Sequence, residues 1–242
     1  MTISFAAEKI AGLPITNAVL TGIIGSIITL ALALWLTTTI KMEPGKKQNF
    51  AEWAFEGILN LTIGITGSRE KALKILPLGA TFFLFIIINN WLGLVPGVGS
   101  IGVKEVVDGK EVLVPFLRSS NADLNTTLAL ALISVGATQY FGLKHLRLGY
   151  FKKFINFSSA INFFMGILEI ISEFAKIISF SFRLFGNVFA GEVLLAVIIG
   201  LVPYIAPLPF YGLEIFVGFV QALVFAMLSL VFFHVATQSH AE

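Results

Sequence analysis

Five polar side chains interrupt stretches that are otherwise apolar, and the two carboxylates among them could take up and release a proton: Arg183, Asn187, Glu192, Glu214 and Gln221. Arg183 sits in Ile177–Val202 (IISFSFRLFGNVFAGEVLLAVIIGLV), where the only other charge is Glu192. A guanidinium stays protonated at any cellular pH. Placing one at mid-membrane costs at least ~2.5–3.5 kcal/mol, so the position calls for a function. The plainer alternative is an arginine at the end of a shorter helix, snorkelling to the headgroups. At about 100° per residue, Asn187 (i+4), Ser179 (i−4) and Lys176 (i−7) share its helical face, and Glu169 falls within about 40° of it. Glu192, nine residues on, points to the opposite side. Glu214 and Gln221, in the next apolar run, are seven residues apart and share a face.

The chemistry these types can do is proton uptake and release. Glu192, Glu214 and Asp123 lie towards the same end of their segments and could line a hydrated, proton-accepting vestibule. Glu169 and Glu173 lie beyond Arg183 and could line a second approach. Each has a plainer alternative. Asp123 could cap a helix N-terminus, Glu192 and Glu214 could hydrogen-bond between helices in protonated form, and Glu173 could pair with Lys176, three residues on. The pattern suggests two wet half-paths separated by a fixed positive charge. A plain pore would not keep an arginine between them, because it would repel a passing cation. The arrangement works when an ionisable carboxylate on another protein moves past. Opposite charges about 4 Å apart attract by ~4 kcal/mol at an effective dielectric of 20. One elementary charge crossing 100 mV carries about 2.3 kcal/mol to drive the passage.

The elements that must hold these residues are membrane helices. The chain is 57% hydrophobic and 12% charged, half the roughly 25% charge of a soluble domain, which predicts an all-α polytopic membrane protein. One membrane domain over residues 1–242 is expected. A net charge of +2 is too small to suggest nucleic-acid binding. The absence of cysteine removes disulfides, thiolate metal sites and cysteine nucleophiles together. The histidines His145, His234 and His240 fall at segment edges or in the tail. They leave no nucleophile–base pair for an intramembrane hydrolase and no metal site.

The apolar runs are 18–40, 77–95, 122–143, a long one over 155–202, and 210–237. A span needs about 20 such residues. The first run is too long for a signal-peptide core and lacks a small-residue cleavage site, so a retained transmembrane helix is expected. Over 46–66, Phe50, Trp53, Ala54, Ile58, Leu61 and Ile65 recur at helical spacing with Glu52 and Glu56 on the other side, which predicts an amphipathic surface helix. Asp108-Gly109 in VVDGKEV predicts a tight turn. Segments 41–75 and 144–153 hold ten of the sixteen Lys and Arg residues, which puts those loops and the C-terminus in the cytoplasm and the N-terminus outside. Residues 161–200 as one helix would span roughly 60 Å, twice the ~30 Å hydrocarbon layer. Two ordinary spans joined near 172–176 are the alternative, and hydropathy leaves both open. PYIAPLP, Pro203–Pro209, breaks the chain before the last run.

ILEIISEFAKIISFSFRLFGNVFAGEVLL (Ile167–Leu195) and FVQALVFAMLSLVFF (Phe219–Phe233) resemble subunit a of the F-type ATP synthases. NNWLGLVPG (Asn89–Gly97) and SSNADLNTTLALAL (Ser119–Leu132) are similar to the same family's earlier segments, in the same order. The resemblance covers most of residues 40–237. It implies a non-catalytic, ion-translocating stator subunit in which Arg183 faces the carboxylate of a rotating c-ring. It implies that Asn187, Glu192, Glu214, Gln221 and Asp123 line the outer half-channel and that Glu169 serves the cytoplasmic one; Ser179 joins the proton-path candidates through its place on the Arg183 face. The last two helices become a long, steeply tilted hairpin against the ring. The implied partners are the c-ring, the peripheral-stalk b subunits and membrane lipids, with no cofactor, no nucleic acid and no substrate beyond the coupling ion. The implied location is a bacterial cytoplasmic membrane. Two departures stand out. Relatives often pair a glutamate with a histidine where this chain has Glu192 and Glu214, so no histidine relay is available, and the usual proline after the lysine is Ile177. A stand-alone transporter holding an anion on Arg183 would show paired repeats and broken helices, and the sequence has neither.

Overall fold

The computed structural model describes residues 16–38, 40, 45–95, 97, 101–107, 110–147, 149–150, 154, 160–202 and 204–238. Six helices carry the fold: α1 (Asn17–Thr38), α2 (Lys46–Thr66), α3 (Arg69–Gly93), α4 (Leu124–Leu146), α5 (Ala160–Leu201) and α6 (Pro207–Thr237). All but α2 are long and apolar enough to cross a membrane. Helices are the natural solution there, because each satisfies its own backbone hydrogen bonds where no water can. The chain is an all-α polytopic membrane protein with one small ribbon between α3 and α4. In that ribbon β1 (Gly102–Val107) runs antiparallel to β2 (Lys110–Pro115), with Val107 opposite Lys110. The register brackets the turn expected at Asp108-Gly109, two residues that lie outside the described ones.

Helix ends differ from the apolar runs for simple reasons. α3 starts at Arg69, well before the run at 77, and carries Pro77 inside it. Its first turns (REKALK) are strong helix formers of poor hydropathy, so hydropathy alone misses them. α6 starts at Pro207, a first-turn position where the missing N–H has no helical partner to lose. α2 ends on Gly67, whose left-handed backbone (φ 65°) lets its N–H bond back to the Ile63 carbonyl at 2.8 Å. α2 turns Leu59, Thr62 and Thr66 inward and leaves Phe50 and Trp53 bare.

α5 decides the question that hydropathy left open. It is one continuous helix of 42 residues, about 63 Å long at 1.5 Å per residue. No turn interrupts residues 172–176, where the Glu173 and Lys176 side chains meet along the helix at 2.7 Å. The expected start at 155–159 falls outside the described residues.

The core lies where α3, α4, α5 and α6 meet, around Phe82, Ile86, Leu130, Leu184, Phe225 and Leu230. Small residues set the close approaches, as membrane interfaces require. A Cβ on Gly79 of α3 would fall 2.7 Å from the Leu230 side chain of α6. α1 has its buried residues near its start, at Asn17, Ala18, Thr21 and Gly25. Along the middle of α5, Phe180, Ser181, Leu184 and Leu195 are buried while Ile178, Ser179, Phe182, Arg183 and Asn187 are exposed. One side of this helix is packed and the other is bare.

Candidate functional site

The bare side of α5 carries Arg183. Its Nη2 donates to Ser179 Oγ one turn earlier, at 3.3 Å, and the residue is exposed. Among the described residues no carboxylate of the chain reaches it. One turn further on, Asn187 Nδ2 donates to Gln221 Oε1 of α6 at 2.6 Å. The stripe that holds the arginine therefore runs directly into a hydrogen bond between the two last helices.

Behind that bond lies a small crevice, lined among others by Asn90, Ser119, Asn187, Glu192, Glu214 and Gln221. Glu192 forms one wall. Its Oε2 accepts from Arg118 Nε at 2.9 Å, and the two side chains are only 26% and 14% exposed. Glu214 reaches in from α6, 9% exposed, and packs its carboxyl on the backbone of Gly191, in the space a side chain there would fill. It has no hydrogen-bond or ion-pair partner among the described residues. Gln221 spends its carbonyl on Asn187, and its buried Nε2 has no acceptor among the described residues. Buried donors are rarely left so, and this one borders the crevice. The site thus gathers two carboxyls, an unused amide donor and a bridge towards Arg183, which is a set suited to passing a proton.

The frame around the crevice comes from α3 and the loop before α4. Asn90 Nδ2 donates to the Gly218 carbonyl of α6 at 3.1 Å, and its Oδ1 accepts from Asn121 Nδ2 at 2.8 Å. Trp91 Nε1 donates to the Ile215 carbonyl at 3.2 Å. Thr127 of α4 and Ser181 of α5 share a hydrogen bond at 3.1 Å. Arg118, Ser119 and Asn90 were missed by the sequence reading. The signals were a lone arginine just ahead of SSNAD and two adjacent asparagines inside an apolar run.

The other residues singled out by sequence fall elsewhere. Asp123 is the N-cap of α4, accepting from Asn125 N at 2.9 Å and Asn125 Nδ2 at 3.2 Å, and it is absent from the lining of the crevice. Lys176, expected on the Arg183 face, is half-buried. It pairs with Glu173 and stands 4.8 Å from the Phe232 ring centroid. Glu169 and Glu173 come near Tyr150, which follows α4 and donates to Gln139 Oε1 at 2.8 Å. Burial pushes the Tyr150 phenol up to about 12, and the nearby Glu173 and Glu169 carboxylates add to the effect.

Comparison with known proteins bears directly on this arrangement. Residues 19–234 match the family model described as ATP synthase A chain. The chain is 39% identical over 204 residues to ATP synthase subunit a of Desulfotalea psychrophila, an alignment covering 84% of this chain and 76% of that one. It is 34% identical over 215 residues to ATP synthase subunit a of Campylobacter jejuni subsp. jejuni serotype O:23/36, covering 88% and 86%. The same-named protein of Campylobacter jejuni subsp. doylei is 33% identical over 215 residues with the same coverage.

Proposed function

The chain belongs to the ATP synthase A chain family, and from that premise we propose how it works as the proton-translocating stator subunit of an F-type ATP synthase. It carries out no ATP chemistry itself. Its partners are the c-ring, on the bare side of α5 and α6, and the peripheral-stalk b subunits. The whole chain acts as one membrane domain in a bacterial cytoplasmic membrane, with the Lys- and Arg-rich loops and the C-terminus inside.

One observation carries the reading. Arg183 is exposed one turn from the Asn187–Gln221 hydrogen bond and has no carboxylate of its own chain among the described residues. A cation left bare on an apolar face is expensive unless its counter-charge arrives from outside. A carboxylate on the rotating ring supplies it. Protons enter from outside past Glu192 and Glu214, cross the Asn187–Gln221 bridge, and reach the ring carboxylate beside Arg183. The arginine attracts the ionised ring carboxylate as it passes and repels a proton that would leak straight through. Asp123 stands at the outer mouth, where it caps α4. Glu169 serves the cytoplasmic exit, on the far side of Arg183, and Ser179 steadies the guanidinium between the two.

The test is Arg183→Ala in the assembled complex. Potential-driven ATP synthesis falls below detection while the complex persists. Normal coupled synthesis in that variant would sink the reading.

A further inference from the structure

The two carboxyls of the crevice are not equivalent. Glu192 is bonded to a guanidinium, while Glu214 has no such clamp. We propose that Arg118 is a positioning residue of the outer path: it fixes Glu192 against the loop before α4, which leaves Glu214 as the carboxyl that carries the proton to the Asn187–Gln221 bridge. The inference rests on the proposed function and divides the labour within it.

The loop that bears Arg118 has anchors besides the arginine side chain. The Arg118 backbone N–H already donates to Thr21 Oγ1 of α1 at 3.2 Å. Ser119 Oγ donates to the Asn89 carbonyl at 3.3 Å. Asn121 Nδ2 ties the next turn to Asn90 Oδ1 at 2.8 Å and lies 3.4 Å from the Ile86 carbonyl. These bonds tie the segment to α1 and α3, and the pairing of the guanidinium with Glu192 bridges 74 residues of sequence to α5. A charged side chain kept mostly out of water is retained for its charge when backbone and amide bonds already do the anchoring.

A proton carrier must turn between the group it takes from and the group it gives to. A carboxylate held by a charge-assisted bond of this length is fixed in one orientation. Glu214 packs instead on the Gly191 backbone, and no donor among the described residues holds it. It shares the crevice with the free Nε2 of Gln221. Glu192 and Glu214 are close enough for their charges to interact, so clamping one shapes the surroundings of the other.

The experiment measures potential-driven ATP synthesis in inverted vesicles, with complex assembly quantified on native gels. It compares Glu214→Gln, Glu192→Gln, Arg118→Gln, Arg118→Lys and the double variant Arg118→Gln/Glu192→Gln. Glu214→Gln loses about a hundredfold or more, as removal of a proton-transferring group does. Glu192→Gln and Arg118→Gln each lose roughly tenfold, and the double variant is no slower than either, because both changes break one interaction. Arg118→Lys, which keeps the charge and one donor, recovers to within about threefold of the parent. Three results overturn the inference: Glu192→Gln as severe as Glu214→Gln, Arg118→Gln adding its full loss to Glu192→Gln, or Arg118→Lys no better than Arg118→Gln. Failure of Arg118→Gln to assemble also overturns it, since the role would then be structural. Full synthesis by Glu214→Gln would instead strike at the outer path itself.

Discussion

The two arginines near the crevice differ in partner and in exposure: among the described residues, Arg118 has a carboxylate of its own chain at 2.9 Å, and Arg183 has a serine hydroxyl at 3.3 Å. Arg118 sits behind the α5–α6 hairpin, mostly shielded, where an unpaired charge would be costly. Arg183 sits on the open side of the same helix, exposed together with Ser179 and Asn187. A chain that can place a glutamate against one arginine could have placed one against the other. Glu192 is on α5 as well, nine residues on, yet faces away from Arg183. On the proposed function, the open arginine is kept for a counter-charge that comes and goes, whereas the closed one is kept for a counter-charge that stays.

The contrast can be broken by giving Arg183 what Arg118 has. Ser179→Glu puts a carboxylate one turn away on the same face, where Ser179 already touches the guanidinium. An internal partner at ion-pair distance competes with the ring by up to ~4 kcal/mol at an effective dielectric of 20. Coupled ATP synthesis therefore drops about a hundredfold or more in the assembled complex. Ser179→Ala, which only removes the 3.3 Å bond, costs less than about threefold. Equal rates for the two variants would show that Arg183 does not need to be free.

A second break acts on the seat of Glu214. A Cβ at Gly191 would collide with the Glu214 carboxyl, so Gly191→Ala displaces it into the crevice. Synthesis slows by roughly tenfold or more, the scale of a misplaced proton-transfer group. The same variant with Glu214→Ala has room for the new methyl. It assembles normally and is no worse than Glu214→Ala alone. If Gly191→Ala is silent, Glu214 has no fixed position to lose.

How far the sequence could carry this depended on the kind of signal. Arg183, Asn187 and Gln221 were legible because a polar group in an apolar helix is expensive, and a helical period fixes which side it faces. The five long helices were legible from hydropathy, though α3 extended back to Arg69 through residues that are good helix formers and poor membrane formers. The unity of α5 was not legible from hydropathy, since a 42-residue helix and two short spans have the same composition. Nor was the Arg118–Glu192 pair, whose members are 74 residues apart and meet only when the loop before α4 folds back. The Glu173–Lys176 pair was legible, because three residues along a helix bring two side chains together, and it forms at 2.7 Å. The Phe232 ring beside Lys176 comes from α6 and was not.

Away from the crevice the same rule of internal pairing applies with smaller consequences. Tyr150 is buried, bonded to Gln139 and near Glu173 and Glu169. Its phenol is raised from 10.0 to about 12. The folded state thus holds the proton more tightly than the unfolded one. The stability this contributes is complete below pH 10.0 and is lost as pH rises to about 12. Thermal unfolding of the detergent-solubilised complex followed across that window should fall more steeply for the parent than for Tyr150→Phe. At neutral pH the variant loses about 1 kcal/mol with the hydrogen bond. Parallel curves would mean that Tyr150 does not titrate there.

The smallest effect sharpens the comparison most, because it separates a carboxyl that belongs to the path from one that only stands near it. Asp123 accepts from the Asn125 backbone and side chain at the start of α4 and does not line the crevice. Asparagine caps as well as aspartate, while alanine gives up about 1 kcal/mol. Asp123→Asn should therefore leave both stability and coupled synthesis within about twofold of the parent, and Asp123→Ala should lower only the stability. A loss of synthesis in Asp123→Asn with the cap intact would assign its charge to proton entry, and the outer path would then begin at α4 rather than at the Glu192–Glu214 crevice.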